Sequence, residues 1–138
     1  MKRFHLEYLL EPIEDHPSFF TKRMFGGLAV YFNHKMVVTL AEDETSRSYR
    51  GQEYPFLIWN GVLICTSREH HDSLIKEFPK LMPHPVLPKW LFLSLDEDLF
   101  EDHSEILIEA IRRGDERICI LPGERKSKKK RRPRTLRG

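Results

Sequence analysis

Leu6, Leu9, Leu10 and Ile13 follow the i, i+3, i+4, i+7 spacing that places four side chains on one face of a helix, and Pro12 predicts an early end to it. The segment EDHPSFFT reads as a loop. Beyond it, Leu28, Val30 and Phe32 alternate with Ala29 and Tyr31, while Met36, Val38 and Leu40 alternate with Val37 and Thr39. These runs, joined by Asn33-His34-Lys35, predict a β-hairpin. The polar stretch AEDETSRSYRGQ reads as a second loop. In FLIWNGVLIC, Asn60-Gly61 separates two apolar runs, a pattern that predicts a second hairpin with a type I′ turn pairing Trp59 with Val62. Both faces of that hairpin are apolar, which places it centrally in a sheet or beneath a partner.

Helical spacing returns after Ser67, an expected N-cap, with Leu74, Ile75 and Phe78 on one face before Pro79. The segment PKLMPHPVLPK is too rich in proline to continue a helix and leads into KWLFLSL, a further strand. In DEDLFEDHSEILIEAIRRG, Asp102 and Glu105 have capping-box spacing and Leu107, Ala110 and Ile111 form the apolar face. Arg112, Arg113 and Gly114 close that helix. RICIL is a last apolar run that returns to the sheet or packs across it. The order predicts one small α+β domain over residues 1–123. Its antiparallel sheet is built of two β-hairpins plus a further strand, flanked by about three helices.

Charge divides the chain where the apolar pattern stops. Residues 125–138 carry nine Lys or Arg and no acid: Arg125, Lys126, Lys128, Lys129, Lys130, Arg131, Arg132, Arg134 and Arg137. Residues 1–124 hold 14 basic and 21 acidic groups, a formal −7. With only Leu136 to bury, residues 124–138 are expected to form a disordered basic tail until they meet a polyanion. The N-terminus has no apolar stretch fit for a signal peptide, and no run approaches the roughly 18 residues that span a bilayer. A soluble, cytoplasmic protein with no membrane partner is expected.

Candidate chemistry is sparse. Gly26-Gly27 precedes a strand rather than opening a helix, so the pair reads as a bulge or a close backbone approach, not a phosphate cradle. His70 and His71 are adjacent and would point about 100° apart on a helix, too divergent for one metal. They and His84 read as partly buried helix and loop residues. Cys65 and Cys119 lie far apart and fit buried apolar positions rather than a disulfide or zinc site. The acidic residues Asp96, Glu97, Asp98, Glu101, Asp102 and Glu105 fit a helix N-terminus better than a cation loop. No catalytic residue, cofactor or metal is expected.

Arg23-Met24-Phe25-Gly26-Gly27, followed by a strand, a polar turn and a second strand beginning Lys35-Met36, resembles the motif of the N-terminal domain of TfoX/Sxy-type proteins. His84-Pro85 and Lys89-Trp90, leading into a strand and a final helix, more loosely resemble the MmcQ/YjbR proteins, described as DNA-binding with a double-wing motif. Ala29 and His34 stand where the first family usually carries glycine, and a basic tail replaces the separate C-terminal domain of the longer competence regulators. The resemblance implies a small α+β domain without an established catalytic site. Two functions follow as expectations. The first is a non-catalytic, nucleic-acid-associated accessory or regulatory protein whose tail contacts the phosphates of DNA or RNA. The second is a protein-binding module that uses the apolar hairpin to form a homodimer or hold another protein.

Overall fold

In a computed structural model of the chain, residues 5–24, 26–45 and 47–120 are described. A 3-10 turn over His5–Leu10 runs into helix α1 (Glu11–Glu14), and Leu6, Leu9, Leu10 and Ile13 are all buried. Pro12 sits in the first turn of α1, where its missing N–H breaks no helical bond, so it starts this helix rather than ending it.

Strand β1 (Phe20–Met24) begins within the segment read as a loop after α1. At a sheet edge its Thr21, Lys22 and Arg23 are exposed, so no buried alternation marks it in the sequence. β1 pairs antiparallel with β2 (Gly27–Phe32), and β2 pairs with β3 (Lys35–Glu42). The β2–β3 hairpin forms as expected, with Lys35 already in β3: Asn33 and His34 both have positive φ, 54° and 66°, as a type I′ turn requires. The polar stretch after β3 is also more ordered than a loop, with β4 (Ser48–Tyr49) and β5 (Gln52–Glu53) forming a separate two-stranded hairpin.

The hairpin expected at Asn60-Gly61 does not form. Asn60 opens β6 (Asn60–Ile64), and residues 56–59 are not a strand. After α2 (His71–Glu77) and the short strand β7 (Met82–Pro83), β8 (Leu91–Ser94) pairs with the other side of β6. Gly61 therefore faces Ala41 of β3 and Ser94 of β8 at once. A Cβ there would drive into the Leu93 carbonyl oxygen, so the glycine serves close strand approach and not chain reversal. The six strands run β1-β2-β3-β6-β8-β7, each pair antiparallel.

Strand alternation sends side chains to two cores. Leu28, Val30, Val38, Leu40, Val62, Ile64, Leu91 and Leu93 face one side, where helix residues including Leu10, Ile13, Leu74, Phe78 and Leu107 cover them. Each such side chain, fully buried, stabilises by about 1.5–3 kcal/mol before entropy is counted. Ala29, Tyr31, Met36, Ala41, Leu63, Cys65 and Phe92 face the other side. Phe56, Trp59 and Leu87, from connecting segments, cover that second face. The apolar run 56–59 is thus a lid of loop residues over the sheet.

The last helix, α3 (Phe100–Arg112), ends as expected. Gly114, at φ 85°, lets its own N–H reach the Ile111 carbonyl and the Asp115 N–H reach Ala110, a Schellman closure. Its start differs: Leu99, at φ 57°, holds the N-cap position, and Asp102 is already inside the helix, so no capping box forms. Ser67 likewise precedes a 3-10 turn, Arg68–His70, without a side-chain capping bond.

Candidate nucleic-acid interface

The nine cations of residues 125–138 lie outside the described residues, which end at Ile120. Ile120 is bridged to Met36 at the start of β3 by both backbone bonds, Met36 N–H to Ile120 O at 3.0 Å and Ile120 N–H to Met36 O at 2.9 Å. RICIL does return to the sheet. Arg117 holds the same segment from the other side: its guanidinium donates to Ser73 Oγ and Glu77 Oε1 of α2, each at 2.6 Å, and to both Asp115 oxygens. That guanidinium keeps the Asp115 carboxyl below its ordinary range.

At the opposite end of β3 the chain leaves Glu42 and returns at Asn60, which pair with each other. Between them rises the β4–β5 hairpin. Arg50 (φ 50°) and Gly51 (φ 81°) form its turn, and the Arg50 guanidinium lies 5.3 Å from the centre of the Tyr49 ring. The hairpin's base is tied by the Tyr54 N–H to Arg47 O and by Arg47 Nη1 to Pro55 O, both at 2.8 Å. Sequence reading passed over this element because Arg-Gly is a weaker turn signal than Asn-Gly; the glycine at the second turn position was the clue. Lys22 and Arg23 of β1 pair with Ala29 and Leu28, whose β3 partners Thr39 and Leu40 lie toward this same end. Arg68 follows the far end of β6 instead, so Lys22, Arg23, Arg47, Arg50 and Arg68 do not form one cluster.

Acidic charge is just as unevenly placed. Residues 5–15 and 96–113, the α1 and α3 segments covering the first sheet face, hold eleven Asp or Glu and two Arg. Tyr8 Oη donates to Glu101 Oε2 at 2.9 Å, which ties the two segments together, and burial with the nearby Glu101 and Glu105 carboxylates raises the Tyr8 hydroxyl's pKa. Residues 16–95 carry nine Lys or Arg and seven Asp or Glu. The negative charge of the body therefore belongs to one layer. The expected acidic run 96–105 does occupy the approach to α3 and its first turn.

The remaining candidates have structural partners. His84 is buried: its Nδ1 accepts the N–H groups of Val86 and Leu87 at 3.0 and 3.1 Å, so Nε2 carries the proton and donates to Ile58 O at 2.6 Å. Burial lowers its pKa, and the ring packs on Trp59 and Phe92, pinning both loops over the second sheet face. His71 Nε2 meets Lys89 O at 2.8 Å. Cys65 is fully buried, which pushes its thiol far above the ordinary range, while Cys119 is half-buried; neither is in a disulfide. Gly27 has no room for a side chain, since a Cβ would stand 2.6 Å from Leu40 O, whereas Gly26 (φ 76°) serves the reversal between the paired residues Met24 and Gly27. A groove of about 470 Å³ near Pro12, His16, Phe32 and Asn33 includes Arg112, which already bonds Glu109 at 2.6 Å. Among the described residues, no three His, Cys, Asp or Glu stand together as metal ligands.

Within FLIWNGVLIC, β6 is buried along its whole length between two strands and two cores, while Phe56, Leu57 and Trp59 are half-buried. No helix of the described residues is long and apolar enough to cross a membrane. No protein-family model matches the chain, and neither curated proteins nor solved structures provide a match.

Proposed function

We propose that this protein is a cytoplasmic, nucleic-acid-associated accessory or regulatory protein that acts by binding rather than catalysis, with its basic C-terminal tail contacting phosphates. The observation that carries the reading is the density of positive charge in residues 125–138, nine cations and no acid, beyond a body in which Ile120 is bonded to the sheet. Such a segment gains affinity by releasing condensed counterions, which needs no folded groove. The folded body supports the reading by holding its acid on the α1–α3 layer. The resemblance of Arg23-Met24-Phe25-Gly26-Gly27 to the TfoX/Sxy motif supports an accessory role over an enzymatic one.

Fluorescence anisotropy of a labelled duplex across a salt series tests it. With roughly five to nine phosphates engaged, log K falls with log salt at a slope of about −4 to −8, with affinity near ~10⁻⁴ to 10⁻⁶ M at physiological salt. Little sequence preference is expected, because phosphate contacts carry no base information. A chain ending at Gly123 keeps the Met36–Ile120 bridge and loses this binding. Absence of binding by the full chain at low salt refutes the proposal.

A further inference from the structure

We infer that the β4–β5 hairpin is a second phosphate-contacting element, with Arg50 as the contact and Tyr49 as its positioning residue; this rests on the nucleic-acid reading above. All residues from Ser48 to Glu53 are exposed, and the hairpin belongs to no larger sheet. Its tip carries an arginine at φ 50°, a left-handed position that Asn or Gly occupies at lower cost. What arginine adds there is a guanidinium held over the Tyr49 ring, away from any carboxylate ion pair found among the described residues. A cation–π contact of this kind restrains a long side chain while leaving its N–H groups for an anion.

Glu42, from which the chain leads into the hairpin, and Met36, bridged to Ile120, stand six β3 residue steps apart, about 20 Å at the rise of an antiparallel strand. That separation is shorter than one duplex turn of roughly 34 Å. Residues 42–53 carry Glu42, Asp43, Glu44 and Glu53 beside Arg47 and Arg50, so the contact rests on the exposed guanidinium and not on net local charge.

Full-length Arg50→Asn is the deciding variant, because Asn suits the left-handed turn and keeps the hairpin folded. Its melting temperature should match or exceed the parent's, while its salt slope on duplex becomes shallower by about 0.9 and its affinity at 0.1 M salt falls several-fold. Arg50→Lys keeps the slope. Tyr49→Ala keeps the slope and weakens binding, since the charge remains but its restraint is lost. Asp102→Asn with Glu105→Gln, on the acidic layer, leaves binding at physiological salt unchanged. If Arg50→Asn binds with the parent's slope and affinity, the hairpin role is overturned while the tail reading stands. If the acidic-layer variant changes the slope as much as Arg50→Asn does, the effect is one of net charge and the hairpin role is overturned. Failure of the parent chain itself to bind overturns both proposals.

Discussion

Gly61→Ala probes whether β6 is a central strand or one arm of a hairpin. In an Asn-Gly turn, alanine at the glycine position would cost the left-handed conformational penalty, about 1–2 kcal/mol. In the observed sheet the added methyl meets the Leu93 carbonyl oxygen, and also approaches Leu95 N and Phe92 Cε1 to 3.1 Å. The obstruction is mostly backbone, so no rotamer change relieves it. Opening the β6–β8 ladder around Gly61 and Ser94 loses one or two hydrogen bonds at about 1 kcal/mol each, and overpacking adds about 1–3 kcal/mol. The total, about 2–5 kcal/mol, is a large part of the 5–15 kcal/mol typical of a domain. At roughly 2.1 cal/mol/K per residue over the 114 described residues, 1 kcal/mol moves the melting temperature by about 4 °C, so a fall of about 8–20 °C is expected. Gly114→Ala is the reference, since its φ of 85° is strained for alanine but a Cβ there meets nothing within 4 Å. It should lose only about 4–8 °C. Thermal unfolding followed by circular dichroism compares the two, and equal losses would refute the central-strand argument.

Three further outcomes follow from the same geometry. The His84 pKa is lowered by burial, so the unfolded chain takes up its proton first, near pH 6.5; this contribution is complete above that pH and is lost as pH falls toward the folded value. Urea titrations from pH 7.5 to 5 should show the parent losing up to about 1.4 kcal/mol per pH unit more than His84→Gln, and parallel profiles would contradict the neutral, doubly accepting imidazole. Arg117→Met removes the bonds to Ser73, Glu77 and Asp115, and should cost about 1 kcal/mol with faster amide exchange at residues 115–120; unchanged exchange would show that the Met36–Ile120 bridge suffices. Removing residues 124–138 should move the melting temperature by no more than about 2 °C, since surface changes away from packed features are usually within ±0.5 kcal/mol, and a larger fall would mean that the tail packs on the body.

Where local chemistry suffices, the sequence was enough. The spacing of Leu6, Leu9, Leu10 and Ile13 announces a buried helical face, Asn33-His34 accepts the positive φ of a two-residue turn, and Gly114 closes α3, each through interactions within a few residues. The α+β class and the antiparallel sheet follow from such signals in order. Asn60-Gly61 shows where they stop. The dipeptide suits a type I′ turn, but it also suits a strand that two neighbours approach closely, and only the pairing with β3 and β8 selects between them. Similarly, β1 is invisible as an alternation because its environment is solvent, and Phe56 and Trp59 look like strand residues because a loop covering a sheet buries the same side chains. For the candidate interface, the sequence alone determined how many charges the chain carries and that nine of its cations are consecutive but for a few residues. Tertiary structure decided that eleven acids share the α1–α3 segments over one sheet face and that Arg50 stands at the tip of an exposed hairpin, because charges distant along the chain acquire a common side only when the elements bearing them pack against the same sheet.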